Sequence, residues 1–464
     1  MSNRGSVYLL GVGGIAMANV AVLLRSAGFS VTGSDQSIYE PAASILKRAQ
    51  IETRVPYAVE NLPEDPTVII VGNVHSRGQI EVEEALRRNL ILESFPGFLR
   101  RAVMANKRRV VIAGTHGKST TSACVAHLLS ALKREPSYLI GADPQDLEFG
   151  GHSGAGPEFV IEGDEYDSAF FDKRSKFLDY FPHVLILGRV EHDHLDIFPT
   201  LDEMMLSYHR LVAQLPSNGK LIVAADSPLA MELAAKSPCE VITVSDNDDS
   251  DYCVRNGDLR TPTQEIAFDF APGVIGNHNH LNVAMAVAGV VACGVAVKDV
   301  VSMAQSYHGI KRRLEKLFES ERVIVYDDFA HHPTAIAAAI DAVKVKYPDR
   351  QITAVFEPRS NTAVRSNYQD EFRDALAHAD SVIIGSVHRK EKISPSEIVD
   401  TARMIQELKQ SGLKAFSVEN NAVADQILAT TESGKHVVLF MSNGSFGGAT
   451  ASVVTTLKSE KITA

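Results

Sequence analysis

Short apolar runs recur along this chain, each ending in glycine or polar residues and followed by a longer stretch with helical spacing. Runs 6–10, 30–32 and 67–71 predict buried strands, with helical stretches at 17–27 and 42–49 between them. Such near-continuous apolar runs, alternating with helices, are the pattern of an open parallel sheet covered on both faces. The rhythm resumes with strands at 110–113, 158–161, 184–187 and 221–224, and again at 323–326, 352–356, 381–384 and 437–440. The polar, acidic stretch 245–251 predicts a surface loop. A basic run, Asn106-Lys107-Arg108-Arg109, marks one boundary and the segment 308–313 another. The expectation is three α/β domains in series, at 1–107, 108–307 and 308–464.

Composition narrows the setting. A chain of 464 residues exceeds one ordinary core. The formal charge of −11 argues against a nucleic-acid or anionic-membrane partner, since both usually demand a basic face. Anionic small substrates stay open, because local lysine and arginine clusters can hold them. Cys124, Cys239, Cys253 and Cys293 are scattered without a C-x-x-C pair, which fits reduced thiols rather than a disulfide frame or zinc site. Residues 6–10 already form a strand-like run where a signal peptide would stand, and no uncharged apolar run spans a bilayer. The expected location is cytoplasmic.

The stretch richest in chemistry is Gly114-Thr115-His116-Gly117-Lys118-Ser119-Thr120-Thr121, between the apolar run 110–113 and an alanine/leucine-rich helical segment. A glycine turn joining strand to helix presents backbone N–H groups and a helix N-terminus to phosphate. Lys118 can place a charge at the β/γ-phosphates and the Ser119 hydroxyl can ligate Mg²⁺. Only two residues separate Gly114 from Gly117, fewer than the usual phosphate-loop spacing. In this strand–loop–helix setting the run still predicts an ATP site, and the central domain is expected to be P-loop ATPase-like.

Gly11-Val12-Gly13-Gly14-Ile15-Ala16 fits G-x-G-x-x-[GA] directly after the first strand, and Asp35 ends the second, where a ribose-binding acid would stand. Taken alone this suggests a nicotinamide oxidoreductase. The same loop holds any diphosphate, however, and Gly72-Asn73 offers another close backbone approach at a strand end. A nucleotide diphosphate in a Rossmann-like first domain, with ATP in the second, is the more economical expectation.

Two acidic clusters follow strands of the second domain: Glu162-Gly163-Asp164-Glu165-Tyr166-Asp167 and Glu191-His192-Asp193-His194-Leu195-Asp196. Either alone reads equally well as a solvated loop. Together, beside a phosphate loop, they predict cation sites, and phosphoryl chemistry with hard oxygen donors favours Mg²⁺ over zinc. Asn277 to Asn282 opens an alanine/valine-rich helix, where Asn and His side chains either cap the helix or touch a base. Tyr326-Asp327-Asp328-Phe329-Ala330-His331-His332-Pro333 places carboxylates and imidazoles at a strand end of the Rossmann-like third domain.

Jointly and in order, G-T-H-G-K-[ST]-T-T, E-x-D-E, D-H-x-D, G-x-H-N-x-x-N, R-R-[LF] and D-D-[YF]-x-H-H-P-T resemble the Mur ligases, which join amino acids or peptides to UDP-N-acetylmuramate. The resemblance covers essentially the whole chain. Segments 164–177, 356–362 and 441–448 look most like the murein peptide ligase branch. The L-alanine-adding branch typically has His-Arg-Tyr where this chain reads Arg359-Ser360-Asn361.

The resemblance implies ATP-dependent attachment of L-Ala-γ-D-Glu-meso-diaminopimelate to UDP-N-acetylmuramate in peptidoglycan recycling, by a monomer or homodimer. It implies that Gly114, Thr115, His116, Gly117, Lys118, Ser119 and Thr120 cradle ATP, with Asn279 and Asn282 on the adenine side. Arg313 and Asp328 would approach the nucleotide from the third domain. Ser119, Glu162 and His194 would hold Mg²⁺. Lys118, Glu162, His194, Asp328 and His331 would form the catalytic set. Gly11, Gly13, Gly14, Asp35 and Asn73 would bind the UDP-sugar, and Arg359, Asn361, Lys173 and Arg174 are candidate acceptor anchors.

The chain departs from the family at Arg189, usually asparagine, and at Asp146-Leu147, usually Asn-Phe. Tyr208-His209-Arg210 fills the region of the carbamylated lysine found in other members. An L-alanine ligase is the near alternative. A nicotinamide oxidoreductase and a non-catalytic UDP-sugar sensor are distant ones.

Overall fold

The computed structural model describes residues 4–463 apart from 256–257, 264, 268–269, 271–272 and 395. Three parallel-based sheets succeed one another along the chain, as the hydrophobic rhythm predicts. Residues 1–192, 200–271 and 281–310 form one compact unit, and 193–199, 272–280 and 311–464 a second.

The first unit holds two sheets. In the N-terminal one, Ser6–Leu10 pairs in parallel with Ser30–Ser34 on one side and Val68–Val71 on the other. Its carboxyl end is therefore a switch point, the usual ligand crevice of open α/β sheets. Leu9, Leu10, Ile69, Ile70 and Val71 are fully buried, which is why these runs carry no alternation. The central sheet has ten strands, with Arg108–Ala113 flanked in parallel by Glu158–Glu162 and Val184–Leu187. The two sheets are tied within the unit: Asn19 donates its amide to the carbonyls of Ile140 at 2.9 Å and Ala142 at 3.0 Å. Phe170 packs against the apolar cluster of the N-terminal core that includes Tyr8, Leu10 and Ile69.

The second unit is built on a six-stranded sheet in which only Glu315–Glu319 runs antiparallel. Apolar clusters cover both faces, one around Ile336, Ile340 and Phe372, the other around Val438, Phe440 and Val453. Val323–Asp328, His436–Met441, Gln351–Phe356 and Ser381–Ile384 end at one edge, so residues 329–332, 357–361, 385–389 and 442–445 follow strand carboxyl ends.

Several strands were not foreseen. Tyr252–Arg255, Asp258–Arg260 and Glu265–Ala267 extend the central sheet beyond the acidic loop. Asp167–Ala169 and Asp172–Ser175 form a separate hairpin. These strands are only three or four residues of mixed polar and apolar character, interrupted by charges such as Arg255, Asp258, Arg260 and Glu265, so no continuous apolar run marks them.

Candidate active site

Gly114 and Gly117 adopt φ values of 125° and 76°, in the left-handed region that glycine enters without strain. Space requires glycine as well. A Cβ at Gly114 would lie 3.1 Å from the Arg189 carbonyl oxygen, and one at Gly117 only 2.3 Å from Asn282 Oδ1. Gly117 then caps the helix Lys118–Ala131, whose first amides belong to the loop. Thr115 and His116 are fixed from the strand 184–187 side: the Thr115 amide donates to the Arg189 carbonyl at 2.8 Å, and His116 Nε2 lies 2.9 Å from Glu191 Oε2. Asn282 thus lies against the phosphate loop itself. Asn279 belongs to the second unit, where its amide donates to the Ile275 carbonyl at 2.9 Å.

Lys118 donates to the Gly114 carbonyl at 2.7 Å and to both oxygens of Glu165, at 3.0 and 2.8 Å. Burial works against its charge, but Glu165 and Asp164 outweigh that and raise its pKa. Tyr208, in the helix Leu201–Val212 that opens with a Thr200/Glu203 capping box, donates its phenol to Glu165 Oε1 at 2.7 Å. Ser119 donates its hydroxyl to Glu162 Oε2 at 3.1 Å, and the Gly141 amide donates to Oε1 at 2.7 Å. Burial raises the Glu162 pKa despite those bonds and Lys118. A half-buried carboxylate beside a hydroxyl, both hard oxygen donors, is the donor set that suits Mg²⁺. Arg189 pairs with Asp226 and lies 3.5 Å from Glu191. Lys173 and Arg174, on the exposed hairpin, pair with Asp167 at 2.5 Å and Asp172 at 2.7 Å.

At the N-terminal switch point Gly11 has a φ of 84°, and a Cβ there would meet His75 Nε2 at 2.5 Å. Gly13 donates its amide to Asp35 Oδ2 at 2.8 Å, so this acid closes the glycine loop. Gly14 caps the helix Ile15–Ser26, with open space before its Cα. Asn73 follows Gly72, whose amide donates to the Leu10 carbonyl at 3.0 Å. Sequence reasoning missed His75 and Tyr57, whose hydroxyl is 3.4 Å from His75 Nε2. Burial lowers the His75 pKa.

In the second unit Asp328 is buried and accepts from the amides of Leu314 and Ala330, each at 2.7 Å. Arg313 stands between Arg312 and Leu314, which have φ values of 60° and 47°, and its guanidinium lies 5.4 Å from the Phe329 ring centre. Two such excursions in non-glycine residues, one on either side of Arg313, store strain that the surrounding bonds must hold. Asp193 and His194 belong to this unit too. Thr362 donates to Asp193 Oδ1 at 2.7 Å and Asn361 to Asp196 Oδ2 at 2.8 Å. Burial would raise the Asp193 pKa, but His194, His332, the Thr362 bond and His331 together hold it well below the usual range. His331 Nδ1 lies 2.8 Å from the Phe329 carbonyl, and burial lowers the pKa of the ring to about 4.

Three family models match the chain in succession: Mur ligase family, catalytic domain, over 6–107; Mur ligase middle domain, over 112–290; and Mur ligase, glutamate ligase domain, over 312–444. The UDP-N-acetylmuramate–L-alanyl-γ-D-glutamyl-meso-2,6-diaminoheptandioate ligase of Escherichia coli is 34% identical across 95% of this chain and 96% of its own. The chain belongs to the Mur ligase family. It is accordingly an ATP-dependent carbon–nitrogen ligase.

Other Mur ligases give the same picture. The Haemophilus influenzae enzyme of the same name is 34% identical over 97% of this chain and 99% of its own. The UDP-N-acetylmuramate–L-alanine ligase of Desulfitobacterium hafniense is 28% identical over 94% and 97%. Among solved structures, the murein peptide ligase of Psychrobacter arcticus superposes with a TM-score of 0.73 at 30% identity, covering 98% of each chain. The UDP-N-acetylmuramate–alanine ligase of Thermotoga maritima reaches 0.80 at 23% identity, covering 98% of this chain and 100% of its own, a likeness of fold. Among the described residues no helix is long and apolar enough to cross a membrane.

Proposed function

We propose that this ligase joins L-Ala-γ-D-Glu-meso-diaminopimelate to UDP-N-acetylmuramate in the cytoplasm, cleaving ATP to ADP and phosphate. The carrying observation is the full-length identity of 34% to two ligases named for that tripeptide, over 95% and 97% of this chain, against L-alanine ligases at 28% over 94% and 32% over a shorter 82%. In this reading residues 1–107 hold the UDP-sugar through Gly11, Gly13, Gly14, Asp35 and Asn73. Residues 108–307 hold ATP, and 308–464 the acceptor.

The muramyl carboxylate is a poor electrophile, so it first attacks the γ-phosphorus of ATP, giving an acyl phosphate and ADP. The loop amides from Gly114 to Thr120 and the Lys118 ammonium neutralise charge on the transferred phosphoryl group. Lys118 exchanges Glu165 for phosphate oxygens as it does so. Ser119, Glu162 and His194 are the residues that would hold Mg²⁺, which supplies further neutralisation of phosphate charge. The neutral α-amine of the peptide then attacks the acyl carbon and expels phosphate. The bond from His331 Nδ1–H to the Phe329 carbonyl leaves Nε2 as the proton acceptor. Asp328, locked by two amides, fixes the turn that carries Arg313 and His331. Asn279, Asn282, Arg313 and Asp328 complete the nucleotide side, and Arg359, Asn361, Lys173 and Arg174 are the acceptor anchors.

The test is phosphate release from ATP with Mg²⁺ and UDP-N-acetylmuramate, comparing the tripeptide with L-alanine. Release with the tripeptide, accompanied by the UDP-muramyl-tripeptide product, is expected. Release with L-alanine alone would overturn the reading.

A further inference from the structure

Glu357 directly follows the strand Gln351–Phe356 and is almost wholly buried, at 1% exposure. Its Oε1 accepts from Asn420 Nδ2 at 2.8 Å and its Oε2 from the Ser442 hydroxyl at 2.5 Å. Ser442 follows the neighbouring strand His436–Met441. Asn420 in turn accepts from the Ser386 amide at 2.9 Å, beyond the end of Ser381–Ile384. One buried carboxylate therefore knots three adjacent strand ends.

Arg359 lies two residues further on, about one-third exposed, with Nη1 3.8 Å from Glu357 Oε1. That is a charge contact, longer than a hydrogen bond. Beneath the arginine runs Gly444. A Cβ there would come within 2.3 Å of Arg359 Cδ, 2.5 Å of its Nε and 2.8 Å of Glu357 Oε2. Gly444 lies outside the positive-φ region, so the glycine is required by the space the arginine stem occupies. The loop itself is fixed by Arg312, whose Nη2 donates to the carbonyls of Ser442 at 2.8 Å and Gly444 at 2.6 Å.

We propose that Glu357 and Gly444 are positioning residues that hold the Arg359 guanidinium as the anchor for a carboxylate of the acceptor. The inference rests on the reading that the C-terminal unit binds the acceptor. Glu357 fixes the direction of the cation without occupying its fork, and Gly444 provides the bed along which the stem lies. A guanidinium oriented in advance meets a carboxylate with two parallel bonds and loses less freedom on binding than a wandering one.

Steady-state kinetics on the full-length enzyme test this, with the tripeptide and with an analogue whose diaminopimelate carboxyls are carboxamides. Glu357→Gln, close in shape, and Gly444→Ala are each expected to raise KM for the tripeptide about 10-fold with kcat changed less than about 2-fold. The preference for carboxylate over carboxamide shrinks by the same factor. In an Arg359→Ala background, Gly444→Ala adds nothing further, because the group it displaces is gone. Unchanged KM in both variants, or an undiminished effect of Gly444→Ala without Arg359, would overturn the proposal. Wild-type turnover with L-alanine but not the tripeptide would overturn the acceptor assignment separately. The same variants then report through KM for L-alanine, whose carboxylate Arg359 would hold.

Discussion

Lys118 and Glu165 form a buried ion pair at the mouth of the phosphate loop, with Nζ 2.8 Å from Oε2 and both side chains under 15% exposed. The pair anchors the lysine ammonium at the loop, and ATP would take over as its anionic partner. Removing one member of a buried pair leaves the other uncompensated, at up to about 3–5 kcal/mol. Glu165→Gln should therefore melt at lower temperature than wild type. ATP with Mg²⁺ should recover more of the loss than it adds to wild type, because phosphate replaces the missing charge. Thermal melts with and without nucleotide check this, and equal increments in the two proteins would refute the exchange of partners.

Ser119 and Glu162 make the second local prediction. Their oxygens are 3.1 Å apart, and Glu162 is desolvated enough that burial raises its pKa. A cation at these oxygens would remove that penalty. Glu162→Gln should need far more Mg²⁺ for half-maximal rate and lose about 10²-fold in turnover even at saturation. Ser119→Ala, which deletes one neutral donor, should lose less. A Mg²⁺ titration of rate distinguishes the two, and a normal curve for Glu162→Gln would remove this residue from the cation site.

Much of this was legible beforehand, for physical reasons that differ by element. The runs at 6–10, 184–187 and 381–384 are buried on both faces, so after an opening serine in two of them their sequences are apolar, and their ends coincide with observed strands. The glycine loops showed themselves because both backbone conformation and space exclude a side chain at Gly11, Gly114 and Gly117. What remained hidden depends on contacts distant in sequence. Nothing near His75 marks it as lying under Gly11, and nothing near Tyr208 announces its bond to Glu165. The expected ribose acid, Asp35, spends an oxygen on Gly13, a local bond that motif spacing does not reveal. Lys173 and Arg174 stood out as basic residues, yet their hairpin supplies its own acids at 167 and 172.

Asp328 is expected to matter for stability as well as for the reaction. Each oxygen accepts one backbone amide, and burial outweighs both bonds in raising its pKa. In Asp328→Asn one amide N–H would face an NH₂ group instead of an oxygen. A buried donor left without its acceptor costs about 1–3 kcal/mol, and the strained turn at 312–314 loses one of its restraints. The variant should unfold at lower denaturant concentration, with turnover falling as Arg313 loses its place. An unfolding midpoint equal to wild type would show that the bracket is dispensable.

The pH dependence of His331 is opposite in sign to that of a histidine stabilised by an acid. Asp193 faces it and favours the charged ring, while Arg313 and His194 oppose it. Burial is the largest influence, and the pKa falls from 6.5 to about 4. Between those values the unfolded chain binds the proton and the native one does not, so stability rises with pH across the window. The contribution of neutral His331 is complete above about pH 6.5 and is lost as the pH falls toward 4, by at most about 3 kcal/mol. Asp327 works the other way, because burial raises its pKa from 3.8 to about 6. The wild-type curve alone therefore mixes two opposing slopes. Subtracting the curve for His331→Gln, which keeps Asp327, isolates the histidine: the stability advantage of wild type over variant should shrink steadily from pH 6.5 to 4. Denaturant unfolding at half-unit pH steps measures it directly, and a difference that grew on acidification would mean that His331 is charged in the folded protein.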